Sequence, residues 1–493
     1  MPTPADPSAK GIKTLDKDLG RISLMEQGMS FISRPLIAPG LALAFLGLIA
    51  VVVTGFVGGQ PGALVVIAAA VIGGYMALNI GANDVANNMG PAVGANAVTL
   101  AGALVIAAIC ETAGALLAGG DVIDTVSRGI ISPESVAEPR IFIWAMMAAL
   151  LAAALWINLA TWVGAPVSTT HAIVGGVMGS GIAAAGFATV NWPVMGAIAA
   201  SWVISPLAGA GIAALFLAFI NSRIIYRPDK IAAARTWVPV LIGVMGGVFV
   251  TYMALKGVSR IVSFTLGQSV LMGAAVGIPL MLIMHPVIRH QARGLENRNK
   301  SLKALFAIPL VFSAALLSFA HGANDVANAV GPLAAIVHAV QGGGAADSVV
   351  VPLWVMVISA LGLSFGLVLF GPKLINIVGS EITRLNAMRA YCVALSAAVV
   401  VIIASWLGLP VSSTHIAIGG IFGVGFYREW YHERILKENR EMTALPVEER
   451  TRRKVVRRVH MLSILAAWVV TVPAAATLSG TLFLILVAVG GTG

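Results

Sequence analysis

The chain has 493 residues, of which 58% are hydrophobic and 11% charged, with 54 glycines. That balance excludes a soluble globular domain and describes a polytopic membrane protein. The net charge of +10 does not argue for nucleic acid, because the basic residues gather in short connections between apolar runs, where cytoplasmic loops carry them.

Residues 1–35 are polar, with Lys10, Lys13, Asp16, Lys17 and Asp18, and lack a short apolar core followed by a small-residue cleavage site. They read as a cytoplasmic tail rather than a signal peptide. Apolar runs then recur to the C-terminus, each of the roughly 20 residues that cross about 30 Å of hydrocarbon. An extra N-terminal span is expected within 36–61, and further spans near 62–80, 97–119, 141–164, 166–187 and 192–220. The loop at 120–140 sets Asp121, Asp124, Glu134 and Glu138 against Arg128 and Arg140, and its net acidity places it outside. The basic stretches "RIIYRPDKIAAAR" (223–235), 289–303 and 428–458 belong inside, with linking spans near 236–255 and 265–288 and another near 304–320. The two cysteines, Cys110 and Cys392, lie in apolar helices away from any His at metal-ligand spacing, so no disulfide framework or zinc site is expected.

The chain is duplicated. "GANDVANNMGPAVGA" (81–95) matches "GANDVANAVGPLAAI" (322–336) at an offset of 241, and "APVSTTHAIVGGVMGSG" (165–181) matches "LPVSSTHIAIGGIFGVG" (409–425) at an offset of 244. A weaker echo pairs "SWVISPLAGAG" (201–211) with "AWVVTVPAAAT" (467–477). Three matches in one order define two units, 62–222 and 304–493, joined by the linking spans and basic loops of 223–303, with the second unit carrying the basic loop 428–460. Following the charged loops along the chain, the first "GAND" arrives inside and the second outside. The expected fold is all-α and polytopic, with about 12 transmembrane segments, two inverted-topology repeats, and hairpin or broken helices at the substrate site.

Polar residues at membrane depth are costly and mark a substrate or ion pathway. Gly81, Gly90 and Pro91 bracket the first Asn/Asp cluster, and Gly322, Gly331 and Pro332 the second, so helix breaks are expected there, freeing backbone groups for coordination. Pro166 and Pro410 suit the first turn of helices whose N-termini would face an oxyanion. Bland readings stand beside these. Hydroxyl runs in membrane helices commonly bond their own backbone or a neighbour, Asn/Asp clusters pack helices, and His171 and His415 are expected as hydrogen-bonded partners within their own motifs. Glu111 is, with Asp84, the only charge between Arg34 and Asp121, and suits a cation ligand, a proton carrier or a structural hydrogen bond.

The paired "GANDVAN" and "PVS(S/T)TH" elements resemble the inorganic phosphate transporter (PiT) family over about 62–490. The resemblance implies a phosphate permease of inverted repeats with helical hairpins, usually homodimeric, coupled to Na+ or H+ and located in the cytoplasmic membrane. By that likeness Asn83, Asp84 and Asn87 with Asn324, Asp325 and Asn328 contribute to substrate and cation sites, Asp84 and Asp325 being the ligands if the cation is Na+. Ser168, Thr169 and Thr170 with Ser412, Ser413 and Thr414 hold phosphate oxygens, and Glu111 takes part in cation coupling. The sequence departs from animal members in lacking their large soluble loop and in placing Ala394 where a second glutamate is expected. The partners implied are inorganic phosphate and the lipid bilayer, with no cofactor beyond the coupling cation.

A sulfate permease of the same fold is the rival within the class, but phosphate still carries a proton at neutral pH that Asp84 or Asp325 can accept. An intramembrane hydrolase, with a motif Ser as nucleophile, the neighbouring His as base and an Asp as orienter, is the rival from another class. Catalysis needs one asymmetric constellation, whereas this chain keeps the set twice.

Overall fold

The computed structural model describes residues 36–131, 136, 138–163, 167–257, 262–342, 351–377, 386–438 and 458–490. The polar tail, Glu134, Pro166 and most of the 428–458 loop lie outside them. Residues 1–48 and 49–493 form two contact units, and the described part of the first is the start of helix α1 (Leu36–Val57). Every functional motif belongs to the second. Among the described residues eleven helices are long and apolar enough to cross a membrane, and β structure is limited to one bridge between Ile131 and Val190.

The first "GAND" lies inside α2 (Ala63–Gly94), which runs unbroken through Gly81, Gly90 and Pro91. The second closes α11 (Ala307–Asp325), and α12 (Ala327–Val340) resumes after the single residue Val326. The expected break is therefore absent from the first copy and reduced to one residue in the second. The glycines serve helix contact instead. A Cβ on Gly81 would collide with the backbone of Leu363 in α13 (Leu353–Ile377), and one on Gly322 with the backbone of Glu111 in α3 (Leu100–Ala118). Small residues let apolar helices approach this closely without a hydrophobic driving force.

Breaks occur at the hydroxyl motifs. Helix α5 (Pro139–Val163) is followed by α6 (Thr169–Ala185), and α14 (Ala387–Trp406) by α15 (Ser413–Glu438), with 407–412 non-helical in the second copy. Ser168 and Ser412 cap the new helices, each Oγ accepting from the backbone N–H three residues on, at 3.1 Å from His171 and 3.3 Å from His415. Pro410 thus precedes its helix rather than occupying the first turn. Expected as an outer loop, 120–131 instead folds into α4 (Gly120–Asp124) and a π turn (Thr125–Gly129), with Val122, Ile123, Val126 and Ile131 fully buried. Asp121 there pairs with Lys256 at 2.6 Å.

The remaining long helices are α7 (Trp192–Ile220), α8 (Lys230–Tyr252), α9 (Leu266–Gln291) and, after the short α10 (Leu302–Leu305), the C-terminal α16 (Arg458–Gly490). Their packing comes in matched pairs: α2 with α13 and α11 with α3, α6 with α16 and α15 with α7, α2 with α5 and α11 with α14. Exchanging the two sequence repeats turns each pair into its mate, as a pseudo-two-fold relation between them would.

The same exchange governs the small residues of the hairpins. Gly175 and Gly179 of α6 press on the backbones of Val472 and Ala476, and Gly419 and Gly423 of α15 on those of Pro206 and Ala210. This is small-xxx-small packing. Gly423→Val is expected to cost about 1–3 kcal/mol through overpacking. Gly196→Val serves as control, since a Cβ there meets nothing within 4 Å. Thermal unfolding of the detergent-solubilised variants separates the two, and equal midpoints would refute the packing argument.

Candidate functional site

The matched helices bring the four motifs to one place. Asp84 of α2 accepts hydrogen bonds from Thr169 and Thr414, both at 3.0 Å, and Asp325 of α11 accepts from the same Thr169 at 3.1 Å. Asn87 donates to Thr414 at 2.8 Å, and its counterpart Asn328 donates to Thr170 at 3.2 Å. Each amide reaches the hydroxyl motif of the other repeat. Thr170, in the first turn of α6, donates onward to the Val411 carbonyl at 3.0 Å and so ties that helix to the non-helical stretch before α15.

Asn83 and Asn324 turn away from this centre and anchor the hairpins. Asn83 donates to Thr161 at 3.0 Å, and Asn324 to Ser405 at 2.9 Å and the Leu409 carbonyl at 3.2 Å, while accepting from the Val411 N–H at 3.2 Å. Ser168 and Ser412 are helix caps whose oxygens accept. Ser413, the counterpart of Thr169, is buried with no hydrogen-bond partner among the described residues.

Superimposed on the symmetric set is a polar group present once. The ring of His321 sets Nε2 at 3.3 Å from Asp325 and 3.6 Å from Asp84, and Nδ1 at 3.2 Å from Glu111. Asn88 donates to Glu111 at 3.0 Å. The repeat offset makes Ile80 the counterpart of His321 and Ala329 that of Asn88, and the glycine contacts make Leu363 that of Glu111. One half of the site is therefore polar where the other is apolar. In the sequence Asn88 stands out only as a member of the first Asn/Asp cluster and His321 does not stand out at all; comparing "NIGANDVANN" with "AHGANDVANA" position by position distinguishes both.

His171 and His415 do not hydrogen-bond to their own motifs through their rings. They meet edge to face with centroids 4.4 Å apart and stack on Trp202 at 3.8 Å and Trp468 at 3.6 Å. Trp202 Nε1 donates to the Pro410 carbonyl at 3.1 Å. A hydrolase would require the His171 ring to hold the Ser168 hydroxyl, and the ring nitrogens make no such bond.

One ligand atom each from Asp84, His321 and Asp325 lie within 4.8 Å of one another. Asp325 Oδ1 and Asn328 Oδ1 are buried acceptors without a donor, and oxygen sets of this kind suit a hard cation. The Ser413 hydroxyl, the second amide hydrogen of Asn328 and two helix N-termini offer donors for an anion, while the hydroxyl hydrogens of Thr169 and Thr414 are engaged by the carboxylates. The site can take an anion and a cation side by side.

Spanning helices around such a centre, furnished by both halves of the chain, define a polytopic membrane transport protein for an oxyanion. The profile described as "Phosphate transporter family" matches residues 80–479. A Helicobacter pylori protein named "Putative phosphate permease" is 44% identical over 90% of this chain and 95% of its own length. A relative so described from Thermococcus kodakarensis is 37% identical over 85% and 97%. A solved structure titled "The sodium-dependent phosphate transporter" aligns with a TM-score of 0.78 at 32% identity, covering 86% of this chain and all of that one. The chain belongs to the phosphate transporter family, and so is a transporter and not an enzyme.

Proposed function

We propose that the chain imports inorganic phosphate together with a cation, Na+ or H+, across the cytoplasmic membrane. The observation that carries this reading is the meeting of Asp84 and Asp325, one from each repeat, on the single hydroxyl of Thr169. No Lys or Arg occurs in 35–127, 141–222, 304–372 or 390–427, the stretches that hold every motif. Phosphate entering beside two carboxylates and Glu111 therefore needs positive charge brought from solution. The name of the similar solved structure favours Na+, as do the unpartnered oxygens of Asp325 and Asn328. Radiolabelled phosphate uptake into proteoliposomes, with Na+ and proton gradients imposed separately, tests the reading. Uptake indifferent to both gradients would overturn it.

The mirrored packing supports two units, 62–222 and 304–493, working about a shared centre, and the basic loops support their antiparallel insertion. Single cysteines at Ala97 and Gln341, with Cys110 and Cys392 removed, are expected to label from opposite sides of the membrane. Labelling from one side rejects the inversion. The homodimer belongs to the same reading and rests on the family resemblance alone.

Ser413 separates substrate binding from structure. Its hydroxyl has no partner among the described residues, so Ser413→Ala is expected to leave the fold intact and weaken phosphate binding by about 0.5–1.5 kcal/mol, the worth of one neutral hydrogen bond. Ser168→Ala and Ser412→Ala add the loss of a helix cap, about 0.5–2 kcal/mol of stability. Calorimetric titration with phosphate reads the first effect; unchanged affinity in Ser413→Ala removes that hydroxyl from the site.

A further inference from the structure

We propose a second, separate anion site at the end of the bundle that carries the basic loops, of a size and chemistry that fit a nucleoside polyphosphate. A cavity of about 470 Å³ lies between the end of α7, the start of α14 and the α15 segment beyond Gly425, and is lined by Asn221, Tyr226, Asn386, Arg389, Arg428 and Tyr431 among others. It shares no residue with the centre around Asp84 and Asp325. This is the cytoplasmic end by the positive-inside rule, since the basic loops 223–235 and 289–303 meet here, Asn297 binding both the Lys230 N–H and the Pro228 carbonyl.

The electrostatics of the cavity call for an anion. Arg389 stands in the first turn of α14, at the positive end of that helix, where a cation is disfavoured. Asn386 fixes it there, accepting from both its backbone N–H at 3.1 Å and its Nε at 3.0 Å. Arg428 lines the same cavity, so two like charges share one space. Neither guanidinium has a carboxylate partner among the described residues, and against the two the wall sets one carboxylate, Glu429. Two planar guanidiniums facing one space bind phosphate oxygens bidentately, and a multiply charged ligand relieves both the mutual repulsion and the helix-end penalty.

Size and shape narrow the class. The volume lies in the range of pockets for drug-sized ligands, well beyond what a lone phosphate fills. Tyr226, 51% exposed, stacks on Tyr431 with centroids 5.1 Å apart and planes 17° from parallel, and so offers an aromatic face to a base. The proposal stands apart from the transport reading, because Asp84→Asn tests the latter and leaves this cavity untouched.

The test is calorimetric titration of the purified full chain with ATP. Wild type and Asp84→Asn are expected to bind alike, and Arg389→Gln/Arg428→Gln to bind at least tenfold more weakly. Should the double variant not fold, Tyr226→Ala, at a surface position, is expected to weaken ATP severalfold while sparing pyrophosphate. No ATP binding by wild type, or full binding by the variants, overturns the proposal. Displacement of ATP by an equal concentration of inorganic phosphate would assign the site to a single phosphate, and its loss in nanodiscs of phosphatidylglycerol but not of phosphatidylcholine to a lipid headgroup; either outcome also overturns it.

Discussion

Asp84→Asn and Asp325→Asn are each expected to abolish concentrative phosphate uptake while leaving a folded protein. The two carboxylates, with Glu111 beside them through His321, put three acidic groups within reach of one another. A divalent phosphate adds about two further negative charges in a medium where Coulomb interactions are several-fold stronger than in water. Against this stand one histidine and two helix N-termini, each terminus worth roughly half a positive charge. On the proposed reading, cations entering with the substrate, held by carboxylate oxygens or bound as protons, meet the deficit. Asn is close in shape to Asp; Thr169 and Thr414 donate to different oxygens of Asp84, so in Asn one threonine still donates to the carbonyl and the other accepts from the NH2, which spares folding while the charge is lost. The check is radiolabelled uptake by each variant in proteoliposomes, beside its unfolding temperature. Well-folded double variants that still accumulate phosphate against its gradient, with wild-type cation dependence, would remove both residues from coupling.

His321→Leu carries the largest expected loss of stability. The ring is fully buried, with Nδ1 3.2 Å from a Glu111 oxygen and Nε2 3.3 Å from an Asp325 oxygen. Leucine leaves Glu111, Asp84 and Asp325 facing an apolar side chain. Breaking a buried ion pair by deleting one partner costs about 3–5 kcal/mol, since the remaining charge has no solvent to return to. Thermal or urea unfolding of the detergent-solubilised protein measures it. The pairing with Glu111 is isolated by a double-mutant cycle, in which His321→Leu combined with Glu111→Gln is expected to recover part of the loss. A cost below about 1 kcal/mol, or strict additivity in the cycle, shows that the carboxylates are neutralised by something other than His321. The polar half of the site would then lose its proposed structural role.

Much of this molecule was legible in the sequence because a bilayer makes polarity informative. Asn87, Asp84, Thr169, Thr414 and their counterparts stand out from apolar surroundings, and their recurrence at near-constant offsets announced two half-sites before any contact was known. The same physics identified the spans and the basic loops. What the tertiary structure decided are relations between segments far apart in the chain. Gly81 and Gly322 look like helix breakers in a local window, yet they are the points where α13 and α3 pass against α2 and α11, so the first helix stays whole, the second is interrupted only at Val326, and the longer breaks fall at the hydroxyl motifs. Asn83 and Asn87 sit one helical turn apart in one motif, but only the crossing of α2 with both hairpins sends the first to Thr161 of its own repeat and the second to Thr414 of the other. His321 gains its place from Glu111, 210 residues earlier in sequence, because α11 and α3 cross at the glycine next to it. Composition and periodicity report how much a side chain costs to bury, a property of the residue and its local segment. Which partner offsets that cost depends on where two helices cross, and that is set by the packing of the whole bundle.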